Sequence, residues 1–267
     1  MVRGERFNGI SHLVGASLAL VGATWLVVQA ALQGDPWRIV SFSIYGGALV
    51  LLYVFSTLYH SLRGRAKDVL RKFDHCSIYL LIAGSYTPFL LVSLRGAWGW
   101  SLFGVVWGLA LVGIAQEVWL ARGARITSLV IYLLMGWLAL VAVSPLWQAL
   151  GPSGFAGLLA GGACYTGGVV FYVNDERWRH GHGIWHLFVL AGSICHFLTV
   201  LLFVAWTRFL HHDAVAFPCI ARTRGCPAGP AAGVPGFGAA CRPTQSPAAA
   251  AAASRCVGAA GAAHAAH

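Results

Sequence analysis

The sequence predicts an all-α fold: a bundle of seven transmembrane helices with its N-terminus cytoplasmic and its C-terminus outside. Three observations predict it. Of the 267 residues, 58% are hydrophobic and only 10% are charged, and the mean hydropathy is +0.71, outside the range of soluble globular domains. Seven apolar stretches, near 10–32, 39–60, 75–94, 98–120, 126–150, 154–173 and 184–206, each reach the ~20 residues that a helix needs to cross a bilayer. Basic residues then gather at alternate span ends. With the N-terminus inside, the inner segments hold Arg3, Arg6, Arg63, Arg65, Lys67, Arg71, Lys72, Arg122, Arg125, Arg177 and Arg179, eleven in all, against two, Arg38 and Arg95, in the outer loops. That asymmetry fixes the orientation, and an odd number of spans carries the chain end outside.

Charge and cysteine content exclude other classes. The net charge of +10 is spread over span ends and forms no basic stripe with interleaved aromatics, so no nucleic-acid partner is expected. The cysteines form no C-x-x-C pair, and Cys76, Cys164 and Cys195 lie within spans, where cysteine behaves as a small hydrophobe. The first apolar run exceeds the ~7 to 15 residues of a secretory signal core, so it is expected to be a retained helix.

The polar lead at 3–12, R-G-E-R-F-N-G-I-S-H, spaces Glu5, Asn8, Ser11 and His12 three or four apart, on one side of a helix. It reads either as an interfacial helix start with hydrogen-bonding side chains or as a lid or contact for the cytoplasmic mouth. The second span ends S-T-L-Y-H, with Ser56 one turn before His60 on the same face. A lone histidine at a helix end is more often interfacial than a ligand. Here the third span opens K-F-D-H, bringing Asp74 and His75 to a level similar to that of His60.

An intramembrane carboxylate is a functional candidate. For Asp74 the alternative is an interfacial ion pair with Lys72 or Arg71; for Glu117, at the end of the fourth span, an ion pair with Arg122 and Arg125 is expected. Gly84 and Ser85 allow close helix approach, and Pro88 removes a backbone donor and kinks the third span. The sixth span is rich in small residues and is expected to pack tightly, with Gly161 and Gly162 as helix contacts. Trp98, Trp100, Trp119, Trp147 and Trp185 lie near span ends, as in an interfacial aromatic belt. From about Thr207, six of the ten prolines and four of the seven cysteines accompany alanine runs. The expected division is therefore a membrane domain over 1–206 and a disordered tail over 207–267.

The seventh span carries the sharpest signal. In G-H-G-I-W-H-L-F-V-L-A-G-S-I-C-H-F, His182 and His186 stand four residues apart on one helical face, which is metal-ligand spacing. His196 lies about 15 Å deeper at 1.5 Å per residue and is expected to be a hydrogen-bonded interior residue. In the N-in topology His60 ends a descending helix, whereas Asp74, His182 and His186 begin ascending ones, so all four meet at the cytoplasmic side. Three imidazoles and a carboxylate match a catalytic zinc site, with an open position for water and a carboxylate to orient it or take its proton. Nitrogen ligands favour zinc over magnesium or calcium.

E-R-F-N-G-I-S-H at 5–12, S-T-L-Y-H at 56–60, F-D-H-C-S-I-Y-L-L-I-A-G-S-Y-T-P-F at 73–89 and H-G-I-W-H-L-F-V-L-A-G-S-I-C-H-F at 182–197 resemble the bacterial hemolysin III family, within the progestin and adipoQ receptors that include the adiponectin receptors. The resemblance spans residues 5 to about 205; the tail is not covered. It implies a seven-helix bundle in the bacterial inner membrane, with zinc held by His60, His182 and His186. It further implies Asp74 at the water on the metal and Ser56 close by. Through the adiponectin receptors, which are similar to ceramide-cleaving hydrolases, it implies amide hydrolysis of a membrane lipid. The other function classes are a cytolytic or ion-handling protein with a structural metal, and a ligand-sensing receptor, for which the outer loops look short.

Overall fold

A computed structural model describes residues 4–119 and 125–206. Arg122 and the tail from Thr207 lie outside the described residues, as does the side chain of Arg125. Among the described residues the chain is all-helical, with six helices long and apolar enough to cross a membrane.

Helix α1 (Arg6–Leu32) turns through Gly34, at φ +64°, into α2 (Pro36–Ser61). Asp35 caps α2 by accepting from the backbone N–H of Trp37 at 3.1 Å and of Arg38 at 3.4 Å, and Pro36 takes the first helical position, where its missing donor costs nothing. Arg38 is therefore not a loop charge. It is buried, bonded to Gln33 and to the Ala205 carbonyl at 3.2 Å, and lies 3.7 Å from Asp35 Oδ2. Arg95 stacks over the Trp37 ring at 4.8 Å.

Helix α3 (Arg65–Pro88) gives way to a π-helical turn over Phe89–Ser93. Pro88 cannot supply an N–H to the ladder, and the wider turn re-forms the bonding, with Leu94 N–H donating to the Phe89 carbonyl at 2.8 Å. The kink expected at Pro88 thus takes the form of a π turn. The close approach expected at Gly84 is present: a Cβ there would stand 2.8 Å from that of Ala48 on α2.

Helix α4 (Ala97–Trp119) is followed by α5 (Arg125–Gly136), a 3₁₀ segment (Trp137–Ala142) and α6 (Val143–Val173). The two stretches expected at 126–150 and 154–173 run together as one apolar candidate of 48 residues, Ile126–Val173. They are separated within it by Gly151, at φ 67° and ψ 177°. A residue before proline is driven to extended ψ, and only glycine takes positive φ without strain, so Gly151-Pro152 breaks the helical path. The 3₁₀ change is held from α3, where Tyr86 OH donates to the Gly136 carbonyl and accepts from Ala139 N–H, both at 2.8 Å.

Helix α7 (Gly181–Val200) ends in a second π-helical turn, Leu201–Ala205. It packs on α6 and on α1, while α2 lies between α1 and α3. Tyr45, Tyr53, Tyr79, Phe42 and Leu26 are fully buried, and Tyr53 OH donates to Ser193 Oγ at 2.8 Å to tie α2 to α7. Trp98, Trp100, Trp119 and Trp147 are exposed, as in an aromatic belt. Trp185 departs from that expectation and packs inward.

Candidate metal centre

Two segment ends build the centre. His60, at the last turn of α2, is buried; His182 and His186 are on the first two turns of α7, with His186 wholly enclosed. One ligand-capable atom from each histidine lies within 4.8 Å of the other two. Ring centroids are 5.3 Å apart for His60 and His182, 5.0 Å for His60 and His186, and 4.7 Å for His182 and His186.

What orients the rings is a set of acceptors behind them. His60 Nδ1 donates to Glu5 Oε2 at 3.0 Å, His182 Nδ1 to Asp175 Oδ2 at 2.8 Å, and His186 Nδ1 to the Asn8 backbone carbonyl at 3.2 Å. With every Nδ1 facing an acceptor, the proton of each neutral ring sits there and the lone pair sits on Nε2. Among the described residues the buried Nε2 atoms of His60 and His186 close no hydrogen bond. A buried acceptor left so costs about 1–3 kcal/mol, and lone pairs turned on one point repel unless a cation lies between them. Imidazole nitrogens backed by carboxylates and a carbonyl are the usual surroundings of a bound transition metal, so the donor set fits a borderline divalent cation such as zinc.

Glu5 also pairs with Lys67. Burial works to raise its pKa, but the hydrogen bonds from Lys67 and His60 outweigh it and hold the carboxyl below its usual range. It is therefore an anion at neutral pH, the stronger acceptor for an imidazole N–H. Of the two expectations for the polar lead, the structure favours contact over a simple interfacial start. Glu5 and Asn8 bond two of the histidines, and the His12 ring stacks on His186 with centroids 3.6 Å apart.

Asp74 is buried on α3, outside the three-histidine group. It lines a cavity of about 130 Å³ whose wall includes His12, Tyr172 and Trp185. All three rings neighbour the histidines: the Trp185 centroid is 5.1 Å from that of His182 and 5.3 Å from that of His186, and the Tyr172 centroid is 6.3 Å from that of His182. The cavity thus opens beside the cluster. Ser56 is buried and stands beside the Asp74 carboxylate without closing a hydrogen bond of normal geometry.

Other expectations divide. His75, read at the level of His60, turns away: its Nδ1 meets Glu117 Oε1 at 2.8 Å, and Ser128 Oγ donates to Glu117 Oε2 at 2.9 Å. The partner of Glu117 among the described residues is therefore His75, with the expected Arg122 and Arg125 side chains outside them. His196 is the interior residue expected, with Nε2 donating to the Leu158 carbonyl at 3.2 Å. Sequence reasoning missed Asp175 and the inward role of Trp185. The available signal for Asp175 was an acid in the loop just before a pair of candidate ligands, since a metal-bound histidine needs an acceptor on its second nitrogen.

Comparisons with known proteins identify relatives of the chain. The model of the family described as Haemolysin-III related matches residues 2–197. The chain is 42% identical over 210 residues to the Hemolysin-3 homolog of Bacillus subtilis (strain 168), covering 78% of this chain and 98% of that protein. It is 43% identical over 204 residues to Hemolysin-3 of Bacillus cereus, covering 76% and 93%. A more distant relative is the human Monocyte to macrophage differentiation factor, 30% identical over 214 residues, covering 77% and 87%. The chain, an integral multi-pass membrane protein by its helices and its relatives, belongs to the haemolysin-III related family.

Proposed function

We propose that this protein is a zinc-dependent hydrolase of membrane-lipid amides, with His60, His182 and His186 holding the metal at the cytoplasmic side of a seven-span bundle in the bacterial inner membrane. The observation that carries the reading is the set of three histidines whose Nδ1 atoms are each held by an acceptor, leaving Nε2 to face a common centre. Zinc bound there would supply a Lewis acid and draw the pKa of water down towards ~7. Asp74 accepts a proton from the attacking water at its carboxylate and returns it to the departing amine nitrogen as the C–N bond breaks. Ser56, beside that carboxylate, orients it. The apolar wall of the adjoining cavity, with Leu52, Ile78 and Leu81, receives the acyl chain.

The span count and orientation belong to the same reading. A 48-residue run would be about 72 Å long if straight, more than twice the ~30 Å hydrocarbon core. The break at Gly151 supports dividing it into two crossings, seven in all, and the eleven-to-two charge asymmetry supports an N-terminus inside.

A second reading, cytolytic with a structural metal, is favoured by the name of the Bacillus cereus relative, Hemolysin-3. Metal analysis of the purified protein beside a lipid-amide hydrolysis assay, with and without His182→Ala, separates the two. The hydrolase reading expects about one zinc per chain and turnover that vanishes with it. Zinc whose removal unfolds the protein, with no amide cleaved by the loaded wild type, would favour the cytolytic one.

A further inference from the structure

His12 is two turns into α1 and 2% exposed. Its ring lies flat against His186, the planes 13° apart, and Tyr53 meets it edge-on at 5.0 Å. Among the described residues neither of its nitrogens closes a hydrogen bond of normal geometry, although the His186 backbone stands close to the ring. A neutral imidazole carries one donor and one acceptor, and buried polar groups are as a rule satisfied. A histidine in this state stands where a partner arrives.

The space it borders is the cavity of about 130 Å³ that Asp74 also lines. Several other polar groups on that wall are already committed, although His196 Nδ1, at the far end of the same cavity from the histidine cluster, is not. Tyr86 OH donates to the Gly136 carbonyl, Tyr132 OH to the His75 carbonyl and Thr166 Oγ1 to the Gly162 carbonyl, while Tyr165 OH pairs with Ser193 Oγ. His12 is not one of the three residues whose ligand atoms converge. Stacked face to face on one of them, it keeps its ring edge in a separate plane. The ring itself borders the cavity next to the centre.

We propose that His12 is a substrate-contacting residue, whose neutral imidazole donates a hydrogen bond to the carbonyl oxygen of an acyl amphiphile seated in this cavity. The identity of the bond cleaved rests on the hydrolase reading; the donor role rests on the cavity. When water adds to an acyl carbon, that oxygen gains negative charge, and it loses the charge again as the C–N bond breaks. A donor fixed at that position favours the charged transition state over the ground state. The ring keeps its hydrogen throughout, so the step takes no proton from His12.

The test uses the zinc-loaded full chain in nanodiscs and two probes: a pyrene-labelled long-chain ketone, which cannot be hydrolysed, and the hydrocarbon with CH₂ in place of C=O. Wild type should bind the ketone about fivefold more tightly than the hydrocarbon, the yield of one neutral hydrogen bond. His12→Phe keeps the ring and its stacking but no donor. It should bind both probes equally, with zinc content, melting temperature and hydrocarbon affinity unchanged. His12→Gln, which retains an N–H, should restore part of the preference. On the unmutated chain, a ketone carrying a diazirine beside its carbonyl should crosslink to the peptide containing His12. A preference that survives in His12→Phe, zinc lost from both variants, or crosslinking confined to other helices would each overturn the proposal. Ketone preference that depends on His12 in a protein that cleaves no amide would sink the hydrolase reading alone and leave the contact standing. Amide hydrolysis undiminished in His12→Phe would do the reverse.

Discussion

Replacing Asp175 by asparagine tests whether the acceptors behind the histidines tune a metal site or are incidental surface pairs. The Asp175 side chain is 13% exposed and its Oδ2 lies 2.8 Å from His182 Nδ1. An exposed pair of this kind would contribute at most about 1 kcal/mol to folding and nothing to metal affinity. As an outer-shell partner of a metal ligand, its loss typically costs about 10–100-fold in affinity. Asparagine keeps the shape and one oxygen acceptor but loses the charge, so the low end applies: about tenfold, or about 1.4 kcal/mol. Competition against a chromophoric zinc chelator, on protein purified in detergent, reads this directly. Asn8→Ala is the control, because His186 bonds to the backbone carbonyl of Asn8, which alanine retains; its zinc affinity should stay within about twofold of wild type. Asp175→Asn matching wild type, or Asn8→Ala falling as far as Asp175→Asn, would refute the argument that Nδ1 partners set the metal affinity.

Asp74→Asn should keep full zinc occupancy while lowering amide hydrolysis by about 10²–10⁴-fold, the usual contribution of a general base; loss of zinc in that variant would make Asp74 a ligand. Glu117→Ala and His196→Ala should leave zinc stoichiometry unchanged, because their contacts are to His75 and the Leu158 carbonyl, and thermal melts should show about 1–3 kcal/mol of lost stability. Gly183→Ala should loosen α1 from α7, since a Cβ there would overlap the Phe7 ring and stand 2.8 Å from Asn8 Oδ1. The expected cost is about 1–3 kcal/mol, visible as a lower melting temperature with zinc weakened beside it. A reporter fused after Leu94 should be accessible from outside and one at Arg65 from inside; the opposite pattern would move the site to the other face.

Helices were legible wherever the sequence held a long apolar run, because the bilayer leaves the backbone few other ways to satisfy its polar groups. The proposed ligands were legible too. His182 and His186 are related by helical spacing alone, and His60 is a terminal residue whose depth follows from its span. What lay beyond reach was rotation. Nothing in K-F-D-H says that Asp74 faces the cavity while His75 faces Glu117 on α4, because adjacent residues differ by about 100° around the axis and packing decides which side points inward. Trp185 failed for the same reason: its place near a span end suggested lipid, but its azimuth on α7 sets it against His182 and His186. Arg38 reads as a loop charge because it stands just before the apolar run at 39–60, yet the structure buries it, where a charge needs compensation. Gln33, Asp35 and the Ala205 carbonyl supply that compensation from three points that sequence proximity does not fully link.

The bond from His186 to Asn8 spans 178 positions, and that from His60 to Glu5 spans 55. A ribosome inserting this chain therefore finishes the α1 and α2 contributions long before α7 exists. Glu5, Asn8 and His60 must wait, partly assembled, until the last helix enters the bilayer and brings His182 and His186. With the proposed ligands divided between α2 and α7, a metal would be held only once α7 arrives, at the end of the bundle where Glu5 and Asn8 brace the rings; a ribosome-stalled chain ending before α7 should be integrated in the membrane yet hold no metal.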